Sequence, residues 1–153
     1  VLPDRIERDR TLVLESGRIV DFTSGPRDVS SGDTRVHLPG CLILPGFIDV
    51  HVHGVCGRDV QEGAAPLLEI AAMLPQYGVT AFCPTSIACA PSALSEFLND
   101  VAAARRDATA GRARVLPAHL ESNFINPEYR GAQPADCLRL PPEIAGRKGP
   151  RRT

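Results

Sequence analysis

Three absences bound this chain before any motif is read. No apolar run approaches the ~20 residues needed to cross a bilayer, and the opening Val1-Leu2-Pro3-Asp4-Arg5 lacks the apolar centre of a signal peptide. Neither charge is in excess. The net charge is −1, so nothing points to a nucleic-acid partner or an anionic membrane. No C-x-x-C pair is present: the cysteines stand scattered at 41, 56, 83, 89 and 137, as reduced thiols in the cytoplasm would. Cys41 and Cys83 lie in apolar runs and read as core residues, and Cys56 as a loop or core thiol. Lys148 is the only lysine, and that bias carries no functional conclusion.

With 153 residues the chain can bury one moderate core, as one domain or as a piece of a larger protein. Its first forty residues read as short β structure. Thr11–Glu15 and Arg18–Phe22 flank a Ser16-Gly17 turn, a hairpin pattern. Residues 23–33 are rich in Ser, Gly, Pro and Asp and read as a loop. Thr34–Leu38 reads as a third short strand, with His37 on its exposed side.

From Cys41 the pattern becomes strand–helix alternation. The first strand spans Leu42–His53, continuously apolar at its start as a strand buried on both faces would be. A helix comes next, from about Ala64 to Gln76, with Leu67, Leu68, Ala71, Ala72 and Leu74 near the 3.6-residue period and Tyr77-Gly78 as its stop. Val79–Ser86 is the second strand. Pro91 opens a second helix through Arg106, with Leu94, Phe97, Leu98 and Val101 on one stripe. Arg114–Glu121 is the third strand. This β-α-β-α-β order makes the strands parallel neighbours, the opening of either a doubly wound sheet or a (β/α)8 barrel. Three strands do not close a barrel, which takes about 250 residues.

The chemistry gathers at strand ends. In Pro45-Gly46-Phe47-Ile48-Asp49-Val50-His51-Val52-His53-Gly54 the two histidines face the same way, roughly 6.5 Å apart along the strand, and two imidazoles so placed can hold one metal ion. Gly54 ends the strand, where a loop can admit substrate. His119 and Glu121 repeat the arrangement at the end of the third strand. A carboxylate near two imidazoles suits Zn²⁺, Fe²⁺ or Mn²⁺.

The Pro45–Gly54 run resembles the first barrel strand of the metal-dependent amidohydrolase superfamily. His119-Leu120-Glu121, Phe124-Ile125-Asn126-Pro127 and Arg130-Gly131-Ala132-Gln133-Pro134 narrow the resemblance to the N-acetylglucosamine-6-phosphate deacetylases, over roughly residues 11 to 140. That resemblance implies an α/β fold: the first part of a (β/α)8 TIM-like hydrolase barrel, incomplete here, preceded by a β-sandwich segment. By the same resemblance, residues 1–40 form the β-rich leader and 41–153 the first three β/α units, with 147–153 an irregular tail. It makes His51, His53 and Glu121 metal ligands for one or two divalent ions, Zn or Fe. His119 stands behind them, orienting Glu121 or a bound water. Ala132 and Gln133 line the sugar pocket. The implied reaction is removal of the N-acetyl group from N-acetylglucosamine 6-phosphate, a small-molecule amino-sugar phosphate, in a cytoplasmic homodimer.

The general-base aspartate and two further histidine ligands of that family are not found. They are expected beyond Thr153, so the chain reads as an N-terminal fragment, inactive alone, and the missing initiator Met points the same way. Ser122-Asn123 replaces the family's usual Gly-Pro, which leaves the exact substrate open. Two other readings stand beside this one. The first is another amidohydrolase (a cyclic amidase, a deaminase or an N-acyl amino acid deacylase), against which the Arg130–Pro134 loop argues. The second is a non-catalytic, truncated metal-binding remnant, prone to associate through its strand edge.

Overall fold

The computed structural model describes residues 1–121 and 123–141. Ser122 and the expected irregular tail at 147–153 lie outside the described residues. The chain divides into two compact units, Val1–Pro45 and a second beginning at Gly46.

In the first unit, strands β1 (Arg10–Glu15) and β2 (Arg18–Ser24) pair antiparallel, Glu15 opposite Arg18. The hairpin is closed by Ser16 and Gly17, both at positive φ (49° and 75°). This is the primed turn whose twist matches the strands it joins. The expected strand at Thr34–Leu38 is not formed: the segment has no ladder partner among the described residues, and a strand exists only where its backbone is paired. Cys41 is exposed rather than buried, as are Leu42, Ile43 and Leu44.

The second unit is mixed α/β around a parallel sheet. Strand β3 covers only Phe47–Val52, shorter than the expected Leu42–His53. After it come the two-residue strands β4 (Gly54–Val55) and β5 (Arg58–Asp59), helix α1 (Ala64–Met73), strand β6 (Val79–Ser86) and helix α2 (Pro91–Ala104). Strands β7 (Arg114–Val115) and β8 (His119–Leu120) end the series. Strands β3, β7 and β8 all pair parallel with β6, which is therefore central. The expected third strand is thus in two pieces. Between them lies Pro117, which has no N–H to give a ladder.

Helix α1 buries Leu67, Ile70 and Ala71, and Leu74 just after it extends the same i, i+3, i+4, i+7 stripe. Ile70 takes the place expected of Ala72, which is exposed. Pro75 converts the last turn to 3-10 geometry over Leu74–Tyr77, and Gly78, at φ 79°, donates its N–H back to that turn. Helix α2 starts with Pro91 at its first position and buries Phe97, Val101 and Ala104. These stripes meet Phe82 of β6 in the core. Full burial of Phe82, Phe97, Leu67 and Ile70 contributes about 1.5–3 kcal/mol each. Cys83 is half-buried. On β3, by contrast, Phe47, Ile48 and Val50 remain more than half exposed, against the expectation of a strand buried on both faces.

Gly54 is required by a close approach. A Cβ there would lie 2.1 Å from the carbonyl oxygen of Arg58, in the hairpin formed by β4 and β5, and backbone cannot swing aside as a side chain can. Gly54→Ala is expected to cost about 1–3 kcal/mol, read by urea denaturation. A cost below a few tenths would mean the hairpin is not held this tightly.

Candidate metal centre

The cluster begins with an irregularity in the sheet. The β3–β6 register shifts between Asp49 and Val52, where Val52 faces Pro84. Pro84 has no N–H to donate. The Val52 N–H donates to the Thr85 hydroxyl (3.0 Å), and that hydroxyl donates to the Cys83 carbonyl (3.1 Å). Thr85 is fully buried. With Val52 pinned inward, His51 and His53 stand on the outer side with their Nε2 atoms 3.0 Å apart. The Asp49 carboxylate accepts from the His51 N–H (3.0 Å).

Strand β8 brings the carboxylate. Thr85 registers with His119 and Ser86 with Leu120, so Glu121 emerges beside the C-terminal end of β6. Its Oε2 lies 3.0 Å from His53 Nε2 and 3.6 Å from His51 Nε2. The three side chains are 33–45% exposed, so further ligands or substrate can approach.

Proton bookkeeping shows what these atoms need. His53 Nδ1 is 3.0 Å from the Thr85 carbonyl oxygen, which can only accept, so Nδ1 carries the hydrogen and Nε2 of the neutral ring presents a lone pair. That lone pair faces a carboxylate oxygen at 3.0 Å. Two acceptors at that distance repel unless a metal ion or a proton lies between them. The separations of 3.0, 3.0 and 3.6 Å bracket the ~3.3 Å edge of a tetrahedron built on bonds of about 2.0–2.1 Å. His51, His53 and Glu121 can therefore hold a metal ion, and the donor set suits a borderline divalent cation.

No family profile matches the chain. Curated relatives do. It is 35% identical over 102 residues to an N-acetylglucosamine-6-phosphate deacetylase of Bacillus subtilis, covering 64% of this chain and 26% of the relative. Over 149 residues it is 33% identical to that of Rattus norvegicus, covering 88% of this chain and 35% of the relative. The crystal structure of an N-acetylglucosamine-6-phosphate deacetylase from Thermotoga maritima superposes with a TM-score of 0.69 at 27% identity, over 86% of this chain and 32% of that one.

The chain is a homologue of part of the N-acetylglucosamine-6-phosphate deacetylases. It spans about a quarter to a third of the curated deacetylases it matches.

Among the residues that the deacetylase resemblance singles out, His51, His53 and Glu121 come together. His119 adjoins them: its ring stacks edge-on against His51, centroids 4.8 Å apart, and its Nδ1–H donates to the Val50 carbonyl (2.8 Å). It thus buttresses His51 and ties β8 to β3. Ala132 is exposed. Gln133 is buried, 6% exposed, and its Oε1 accepts from the Ala88 N–H (2.6 Å). That oxygen is committed to the loop after β6.

Sequence reasoning missed four residues of this region. Thr85 orients His53. Three others pin the same loop: Gln61 Oε1 accepts from the Ile87 N–H (2.8 Å), and the Asn123 side-chain amide donates to the carbonyls of Cys89 and Cys137 (2.7 and 2.6 Å). Arg139 adds a second donor to Cys89. The available signal was the polar pair Thr85-Ser86 closing an otherwise apolar central strand. Thr85→Val strands the Val52 N–H and is expected to cost about 1–3 kcal/mol. Valine keeps the backbone carbonyl that accepts from His53 Nδ1, so metal affinity, measured by competition with a chromogenic chelator, should change less than about tenfold. A larger loss in a folded variant would mean that the Thr85 hydroxyl, through Val52, also positions His53.

Proposed function

We propose that this chain supplies part of the metal site and sugar pocket of an enzyme that hydrolyses the N-acetyl group of N-acetylglucosamine 6-phosphate to glucosamine 6-phosphate and acetate. The observation that carries the reading is the convergence of His51, His53 and Glu121 at the C-terminal ends of parallel strands, in a chain homologous to such deacetylases. The reading extends to the fold. In it, residues 41–153 are the first three β/α units of a (β/α)8 barrel, whose sites lie at that end of the strands. Residues 1–40 belong to a small β-sandwich.

The work is divided among several residues. His51, His53 and Glu121 hold one divalent ion, zinc or iron, and the intact histidine pair permits a second. When bound, the ion supplies a water of lowered pKa and polarises the amide carbonyl. The Thr85 carbonyl fixes the His53 tautomer so that its Nε2 lone pair points into the cluster, and His119 and Asp49 hold His51. Ala132, through its backbone, and Gln133 border the sugar, with Gln133 acting through the loop that it pins. In the net reaction the amide C–N bond breaks, the water oxygen ends on acetate and a proton passes to the amine. The aspartate that moves this proton is expected from the part of the enzyme outside the described residues, as are the other metal ligands. A cytoplasmic homodimer is the expected setting.

The test is acetate release from N-acetylglucosamine 6-phosphate by the intact enzyme containing this segment, with metal content measured on the same sample. Acetate formation that stops on chelation and returns with zinc or iron supports the reading. A metal-loaded enzyme inert to this substrate but active on a cyclic amide or an N-acyl amino acid would replace it.

A further inference from the structure

At the opposite end of the sheet, where α2 hands over to β7, a groove of about 340 Å³ is bordered by Arg105, Arg106, Arg112 and Arg114. That volume lies in the range of small-molecule pockets, about 300–1,000 Å³. The lining includes four arginines and one carboxylate, Asp107, a local excess of +3 in a chain whose net charge is −1. Asp107 is already engaged, by the Thr109 hydroxyl and by Arg112. These two, the Thr109 hydrogen bond first, hold its carboxyl below the ordinary range, so its charge is spent within the groove. Among the described residues Arg105, Arg106 and Arg114 make no ion pair; the same holds for Arg8, Arg18, Arg35, Arg130 and Arg139, but the first three border one groove together.

Part of this has a local reason, since cations after a helix C-terminus offset its dipole. That accounts for Arg105 and Arg106 but not for Arg114, which arrives from β7. We infer that the groove is a binding site for a small phosphate-bearing ligand, gripped by the guanidinium forks of Arg105, Arg106 and Arg114. Planar guanidinium donors match phosphate oxygens in pairs. The site is separate from the metal cluster. Arg114 registers with Ala81 and His119 with Thr85, four residues further along β6, or roughly 13 Å.

Inorganic pyrophosphate is the probe, titrated calorimetrically into the metal-stripped protein at fixed ionic strength, so that an ion at the cluster cannot contribute. The expected result is one saturable site, weakened at least tenfold in Arg106→Gln/Arg114→Gln and unchanged in His53→Ala. Both substituted arginines are exposed, and circular dichroism verifies the fold. Arg106→Lys/Arg114→Lys, which keeps the charge and loses the forks, should fall between. Three outcomes overturn the inference: no saturable binding, wild-type affinity in the glutamine variant, or an equal loss in Arg8→Gln/Arg18→Gln. The last would mark a general response to surface charge.

Discussion

Exchanging Glu121 for glutamine is expected to abolish metal retention while leaving the fold intact. The carboxylate is the one negative donor in the cluster, 3.0 Å from His53 and 3.6 Å from His51. Glutamine offers a neutral oxygen or an amide N–H₂, and the latter would occupy the His53 lone pair as a hydrogen-bond donor. Loss of a partner one layer behind a ligand costs about 10–100-fold in affinity, so loss of the ligand itself should exceed the upper end of that range. The sign of the stability change adds a second readout. Metal at 100 times its Kd stabilises the wild type by about 2.7 kcal/mol, and Glu121→Gln should show no such gain. Without metal, the variant should be as stable as wild type or slightly more so, because the repulsion between the two acceptors is gone. Thermal melts with and without zinc, beside a chelator competition, measure both. Equal metal affinity in the two proteins would remove Glu121 from the site.

The largest stability effect is expected at Phe82. The residue is fully buried on the central strand, in the core cluster with Leu67, Ile70, Phe97 and Val101. Its carbonyl accepts from the Leu116 N–H (2.8 Å), so the strand can collapse only partly into the space the ring leaves. Phe82→Ala should cost about 3–5 kcal/mol, against a total that for a domain is about 5–15 kcal/mol. The control is Phe47→Ala on the same sheet. Phe47 is 56% exposed, and its removal should cost a fraction of that amount. Urea denaturation of the pair measures the difference. Similar costs at the two positions would mean that Phe47 is covered in solution.

How far the sequence disclosed this arrangement differs from element to element. Val79–Ser86 reads as a strand and is one, because a central strand buried between neighbours carries a strong apolar signal. The two helices read within a few residues, since their stripes, Pro91 and Gly78 are local features. The failures are non-local. Leu42–Leu44 reads as buried strand from hydrophobicity alone, but a strand also needs a partner, and pairing begins only at Phe47. Pro117 splits the third strand, a local signal masked by the apolar residues on either side of it. In the site, the same-face rule for alternate strand residues set His51 and His53 together, and parallel order brought Glu121 beside them. Thr85 and Asn123 could not be read this way. They act through backbone groups more than thirty residues away, and no spacing in the chain encodes such a partner.

The loop after β6 is held by Gln61, Asn123, Gln133 and Arg139, and the three amides carry no proton that ordinary pH can remove, while arginine keeps its own. The clamp is therefore blind to acidity. Protection factors of the Ile87 and Ala88 amides, which donate to two of those side chains, should accordingly stay constant as pH is changed.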